Sequence, residues 1–393
     1  MAQCQWRTDD SDKWKYKFGN GSDGNLTISS NTTYSPIDAS CNGSSGAYTL
    51  TATNNNFSSD QLVLIHQSQG TSAGHWELNK IASYASGTIT LEHPLCYNYR
   101  TNSSNADKAQ VLVLKQYQTV IIDSGVSLNA KAWNGSTGGI IAFCCKDALK
   151  INGTISLENG YRETTPWYYN NYNNYGEGTN GASSHNNTKN ANGNGGGAGL
   201  DSVEGEATGG GGGGNGTTGG TVGNTNVGGS SSSDSNLVIA TFGGAGGAGG
   251  AINSASIGGW QVGGKGGKGG ALSIILAKDI QISGRVIANG EAGGNVTKLS
   301  DYKHAGAGGG GAGGSILFKA TTAQLGNNIV TATGGTGGKE TGASSGGAGG
   351  SGVIRLEYAK SYTGSTIPTL SVTKNTHLVD GGNNCETLLW FLS

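Results

Sequence analysis

The chain has 393 residues, 74 of them glycine and only 4 proline, with a formal net charge of −1 and 12% charged side chains. That balance excludes a polycationic nucleic-acid footprint and a polybasic membrane patch, and the low proline content excludes a collagen-like triple helix. With 34% hydrophobic residues and a mean hydropathy of −0.33, a thin core is expected rather than a thick one.

Residues 1–24 read as a lead-in or attachment segment in which Trp6, Trp14, Tyr16 and Phe18 are interspersed with polar residues. Arg7, Asp9 and Asp10 stand where a signal peptide needs an apolar stretch. The expectation is therefore no signal peptide, with export by lysis, inside a virus particle, or after loss of a leader. No apolar run approaches membrane-spanning length, so no membrane insertion is expected.

Residues 25–160 read as an all-β domain, a sandwich or roll. Short segments rich in β-branched residues (LTISS, AYTLTA, QLVLIHQ, TITLEH, QVLVLKQ, TVIID, GIIAFCC, ALKINGTISLE) alternate with Asn-Gly and Ser-Gly turns. HWELNKIASY, from His75 to Tyr84, is the one stretch that competes as a helix. Cys144 and Cys145 are neighbours on a strand and should face opposite sides. The six cysteines, Cys4, Cys41, Cys96, Cys144, Cys145 and Cys385, have no metal-ligand spacing, and their pairing is not legible.

Residues 161–374 read as a glycine-rich repeat domain carrying recognition loops. Gly243–Gly250 and Gly263–Gly270 follow a GGX register, the period of an extended threefold helix, which places Ala or Lys (Lys265, Lys268) along one outer edge. Between the runs a unit returns: GGIIAFCCKDALKINGTISLENG at Gly138–Gly160 aligns with GGALSIILAKDIQISGRVIANG at Gly269–Gly290, each reading strand, Lys-Asp, strand, Gly, strand. Such units bury an apolar face only by stacking. The fold class expected is thus a β-sandwich or roll followed by a β-repeat domain with packed polyglycine II helices. Residues 375–393 form a tail, readable only as a docking strand.

Insertions between glycine runs are the candidate binding loops, because a rigid scaffold with variable tips is the arrangement of a binder. Trp167, Tyr168, Tyr169, Tyr172 and Tyr175 lie in the first, among asparagines. Trp260, Tyr302 and His304 mark two others. Tyr and Trp give large contact area at low entropy cost, and Asn, Ser and Gly give adaptable hydrogen bonds.

Chemistry-bearing motifs are weaker. Gly70–Gly74 matches the G-x-S-x-G elbow without the β/α context that a hydrolase needs. Residues 196–204 fit one calcium-binding nonapeptide, which works only in tandem. Gly259–Gly266 imitates a phosphate loop but lacks its Ser or Thr. His66, inside an apolar strand, reads as a half-buried, satisfied residue. Glu158, Glu163, Asp201, Glu204 and Glu206 flank the aromatic insertion, yet no spacing singles out a catalytic pair. No catalytic residue, metal site or cofactor is expected.

On the runs Gly209–Gly214, Gly243–Gly250, Gly263–Gly270, Gly306–Gly314 and Gly346–Gly350, the second half of the chain resembles the polyglycine-helix tip adhesins that cap long tail fibres of T-even-type bacteriophages. The resemblance implies a sandwich of glycine helices whose loops bind outer-membrane protein or glycan. Strand pairs such as SIILAKDIQISGRVIA depart from that family, which has mostly loops between its runs. QLVLIHQSQGTSAGHWELNKIASYASGTITL looks like the lead domain of glycine-rich surface proteins of uncultivated bacteria, which informs fold alone. The functional expectation is a non-enzymatic extracellular, cell-surface or virion adhesin, with a cell-surface glycan, an outer-membrane protein or copies of itself as partners and no nucleic acid. A filament subunit and a polysaccharide depolymerase are the alternatives.

Overall fold

A computed structural model describes residues 18–52, 56–102, 106–166, 174–182, 190–203, 207–222, 227–254, 259–296, 304–339 and 345–378. Within these the protein is all-β and has three parts: a parallel stack, a closed barrel and a bundle of glycine runs.

The stack is built from the repeated unit. Its main ladder runs through β1 (Asn25–Ile28), β10 (Thr119–Ile122), β12 (Ile140–Ile151), β17 (Leu272–Ile282), β19 (Ser315–Thr331), β20 (Val353–Ile367) and β21 (Ser371–Lys374), all parallel. After a tight bend the same units add a second ladder, β2 (Thr32–Tyr34), β11 (Ser127–Ala130), β13 (Thr154–Ser156) and β18 (Arg285–Ile287), which joins the end of β19. Within each in-register stretch, parallel pairing places like on like. Ile28, Ile122, Ile151 and Ile282 form one column, and Leu128, Ile155, Val286 and Val330 another. These columns meet as one core between the two ladders, so the core is thin but continuous. The bends need glycine: a Cβ on Gly284 would lie 1.9 Å from the carbonyl oxygen of Gly153 in the next layer.

The Lys-Asp of the repeat has a structural meaning. The β12–β17 register shifts between Cys145 and Ala148, where Lys146 and Asp147 sit. Asp147 accepts a hydrogen bond from Gln118, and Asp279 from Thr322, each in an adjacent layer. Cys144 and Cys145 do face opposite sides and belong to different cores.

The barrel is inserted between β2 and β9 (Lys115–Tyr117). It consists of β3 (Asp38–Asn42), β4 (Thr49–Ala52), β7 (Thr88–Leu91), β6 (Trp76–Ala85), β5 (Leu62–Gln69) and β8 (Lys108–Val113), closed in that order with antiparallel neighbours. The stretch that competed as a helix is strand β6. Glu77, Asn79 and Ile81 are buried on alternate positions, and this period of two overrides the helical propensity. The would-be nucleophile elbow is the β5–β6 turn, with Gly70, Ser72 and Gly74 all at positive φ. The twelve-stranded sheet draws strands from both sides of residue 160.

Glycine runs fill the side of the stack from which the connections leave. Run 243–250 shows the rule. Gly243, Gly246 and Gly249 donate to Gly270, Gly267 and Gly264; Gly244, Gly247 and Gly250 donate to Gly214, Gly211 and Thr208; Ala245 and Ala248 donate to Glu177 and Asn174. Each third residue thus meets the same neighbour, which runs the opposite way. Carbonyls of Gly244, Gly247 and Gly250 accept from Ala312, Gly309 and Gly306 of a further run. Ordering so much glycine costs backbone entropy, about 1–2 kcal/mol per residue, and pairing on several sides offsets it by giving buried peptide groups their partners. One expectation is corrected: Ala245 and Ala248 line an edge, but a buried one, and Ala245 packs in the second hydrophobic core. Lys265, on the lysine-bearing edge, is exposed, as is Ala348 of run 346–350.

Candidate functional site: the far end of the glycine bundle

Three of the glycine runs have one end fixed to the stack, where Gly270, Gly314 and Gly352 lead into β17, β19 and β20. The opposite ends are joined to each other. Gly250 donates to Thr208 and accepts from Gly306, and Gly249 donates to Gly264. Gly308 donates to Gly294, Gly338 to Gly308 and Gly346 to Gly338. Gly197 donates to Val227, and Gly220 to Ala348. Hence the stems of segments 200–207, 221–227, 252–262, 295–305 and 339–345 all leave from one end of the bundle, opposite the stack. The stem of the aromatic insertion joins the flank of the same bundle, through reciprocal bonds between Thr164 and Gly266 and the bond from Ala248 to Asn174.

At that end a small sheet forms from β14 (Ser202–Val203), β15 (Ile252–Ser254) and β16 (Gly259–Gln261). Trp260 lies on β16, opposite Asn253. The Gln261 Oε1 accepts the Ala305 N–H at 3.2 Å, and the His304 carbonyl accepts the Ala207 N–H at 3.0 Å, so the strand of Trp260 and the segment of His304 are brought together. His304 was expected at a loop tip; it is buried, because its backbone closes the Ala207 stem. Tyr175 is half-buried on the lattice segment 174–178, and Trp167, Tyr168, Tyr169, Tyr172 and Tyr302 lie outside the described residues. The aromatic insertion is not one loop: its residues 174–178 and 192–199 are themselves part of the glycine bundle.

Two residues that the sequence did not mark close the base of this insertion. Arg162 donates through Nε and Nη2 to the two carboxylate oxygens of Glu177, at 3.0 Å each, and its backbone N–H adds a third bond at 2.7 Å. Trp133 Nε1 and Gln69 Nε2 donate to the same buried carboxylate. The link holds Arg162 in its charged form. Aromatic packing of Trp133, Tyr161, Phe242 and His66 surrounds this junction of barrel, stack and bundle. His66 is fully rather than half-buried: Nε2 is 2.8 Å from the Ala240 carbonyl, Nδ1 is 2.9 Å from Ser68 Oγ, and burial pulls its pKa down to about 4.

Above this junction Lys265 reaches Glu163 at 2.7 Å and Glu291 at 3.3 Å. Hydrogen bonding raises the Lys265 pKa and lowers that of Glu163, so both stay ionised. Of the other carboxylates weighed from sequence, Asp201 accepts the Ala251 N–H and Glu158 accepts from Ser156, while Glu204 and Glu206 lie outside the described residues. Asp201 therefore supports a stem. Among the described residues no group of three His, Cys, Asp or Glu side chains forms a metal cluster.

Thr164 and Asn174 flank the insertion and are 0% and 5% exposed. Asn174 Nδ2 donates to the Thr165 carbonyl at 2.7 Å, but among the described residues Asn174 Oδ1 and Thr164 Oγ1 have no hydrogen-bond partner. Leaving a buried polar atom unpaired costs about 1–3 kcal/mol.

The chain is an all-β protein. No protein family and no curated protein matches it. Among solved structures it is similar to the gp54 tailspike of Acinetobacter baumannii bacteriophage AP22, in complex with A. baumannii capsular saccharide, at 8% identity over 89% of this chain and 58% of that one, TM-score 0.20. It is similar also to the tailspike protein gp49 from Pseudomonas phage LKA1, at 10% identity over 90% of this chain and 72% of that one, TM-score 0.17. At such scores neither match carries an argument about this chain.

Proposed function

We propose that the protein is a non-enzymatic adhesin of an extracellular or virion surface, in which glycine runs of the polyglycine II type form a rigid bundle that presents recognition loops to a cell-surface glycan or outer-membrane protein. The observation that carries this reading is the common exit of the loop stems from one end of a hydrogen-bonded bundle, far from the stack. A bundle paired on several sides holds its loop stems at fixed spacing, so little entropy is lost on binding. Loop composition supports the same reading, with aromatic residues set among Asn, Ser, Thr and Gly.

The test is joint replacement of Trp167, Tyr168 and Tyr169 by alanine, with cell and polysaccharide binding measured beside the melting temperature. Loss of binding at unchanged melting temperature is the expected result. Retained binding with a lowered melting temperature moves recognition to the segments near Trp260 and Tyr302. New reducing ends released from polysaccharide by the wild-type protein would replace this reading with a depolymerase, and fibres in negative-stain microscopy would replace it with a filament subunit.

A further inference from the structure

We propose that Lys319, Glu357 and Asn375 form a self-modifying site, at which the Lys319 amine displaces the side-chain amide nitrogen of Asn375 and leaves an amide cross-link between β19 and the segment after β21. The proposal stands apart from the adhesin reading. Lys319 and Glu357 are register partners on the neighbouring parallel strands β19 and β20, and Glu357 is in turn the partner of Thr373 on β21. Lys319 Nζ lies 3.1 Å from Glu357 Oε2, and Asn375 Nδ2 donates to that same oxygen at 3.3 Å, so amine and amide meet at one carboxylate. Asn375 Oδ1 is held too, by the His377 N–H at 3.2 Å. The backbone pins the segment: the Asn375 N–H donates to the Tyr358 carbonyl, and Thr321 on β19 donates through Oγ1 to the carbonyl of Leu378, which is fully buried. The Lys319 and Glu357 side chains are 18% and 15% exposed, which limits competition from water.

The chemistry needs no co-reactant. Burial pushes the Glu357 carboxyl up, but Lys319, Asn375 and Arg355 together hold it below the ordinary carboxylate range, so it rests ionised and is free to take a proton from the Lys319 ammonium. The freed amine attacks Asn375 Cγ, the Nζ–Cγ bond forms, and the carbonyl electron pair moves onto Oδ1, where the His377 N–H stabilises it. Return of that pair breaks the Cγ–Nδ2 bond. The two protons leaving Lys319 pass in turn through Glu357 to Nδ2, which departs as ammonium, and Glu357 ends as the carboxylate it was at the start. Nothing is oxidised or reduced. The product suits its place, since β21 pairs with β20 alone among the described residues and an edge strand opens more readily than strands paired on both sides. A bond from Lys319 to Asn375 closes β20 and the glycine runs 334–338 and 346–350 into one covalent loop, which restrains the unfolded chain.

The experiment is the intact mass of the folded full chain after incubation at neutral pH, followed by peptide mapping. The expected result is a mass lower than the sequence requires by one ammonia, with a branched peptide that joins Lys319 to Asn375. Lys319→Arg and Asn375→Ala are expected at their full masses and without the branched peptide. Glu357→Gln keeps the shape of the side chain but carries no proton between the two nitrogens; it is expected to stay unlinked while still melting cooperatively. Full mass in the wild type overturns the proposal and leaves the three side chains as an ion pair with one added hydrogen bond. Ammonia loss found instead in a linear peptide, as from an Asn-Gly succinimide, overturns it equally. A cross-link that persists in Glu357→Gln overturns the part assigned to the carboxylate. Should Glu357→Gln not fold, the wild-type mass and peptide map still decide whether the bond forms.

Discussion

Glu177 takes both Nε and Nη2 of Arg162 at 3.0 Å, and its side chain is 1% exposed while that of Arg162 is 49% exposed. The asymmetry decides what each deletion does. Arg162→Ala leaves a buried carboxylate with Trp133, Gln69 and one backbone N–H as its remaining donors. Glu177→Ala orphans Trp133 Nε1 and Gln69 Nε2 but lets the arginine find water. We expect either change to lower stability by about 2–4 kcal/mol, and Glu177→Gln to cost less than Glu177→Ala. Urea titrations of the three variants check this.

Gly247 marks the tolerance of the glycine bundle. A Cβ there would lie 2.0 Å from the Gly197 carbonyl oxygen, and on Gly246 the same distance from that of Gly309. Because the obstacle is backbone, nothing nearby can rotate away. Gly247→Val is expected to cost at least ~3 kcal/mol or to prevent folding. Lys265→Ala, on the exposed edge, should stay within about 1 kcal/mol of wild type. Amide exchange at Gly244, Gly246, Gly247 and Gly249 should be slow in the wild type; fast exchange throughout this run would refute the ordered bundle.

Acid should loosen the joint between barrel and bundle. The His66 pKa in the folded chain is lowered to about 4, chiefly by burial, whereas an unfolded histidine titrates near 6.5. The unfolded state therefore binds more protons in that window, and stability falls as pH drops from about 6.5 to 4, by roughly 3 kcal/mol. His75, lowered by burial as well, acts in the same direction. Melting temperatures between pH 7.5 and 4 should drop less steeply in His66→Gln than in wild type. Equal slopes would remove His66 as the source.

Stacked columns make the core of the parallel stack sensitive layer by layer. Ile151 is fully buried between Ile122 and Ile282. Ile151→Ala should cost ~2–5 kcal/mol, against less than about 0.5 kcal/mol for Lys150→Ala, the exposed neighbour one residue earlier. Thermal unfolding of the pair is the measurement.

Some of this was legible in residue order. The alternation in LTISS or TVIID and the Lys-Asp shared by Gly138–Gly160 and Gly269–Gly290 pointed to strands that stack, and those segments are neighbouring layers. The helical competitor at His75–Tyr84 failed because Glu77 and Asn79 are polar residues buried inside a barrel, which no hydropathy pattern announces. Likewise, nothing in a threonine and an asparagine ten positions apart told that their oxygens would lack partners among the described residues.

The sequence by itself determined the local geometry: strand periods of two, bends at Gly153 and Gly284, and a threefold register in run 243–250. These follow from backbone stereochemistry, which each short segment carries with it. Only the tertiary structure decided which segments became neighbours. It placed the barrel between two layers, drew residues 174–178 and 192–199 into the glycine bundle, buried Ala245 and Ala248, and closed Arg162 onto Glu177. Those choices depend on pairing partners tens to hundreds of residues away, where the free energy comes from burial and from satisfying peptide groups jointly, and no local pattern encodes the partner.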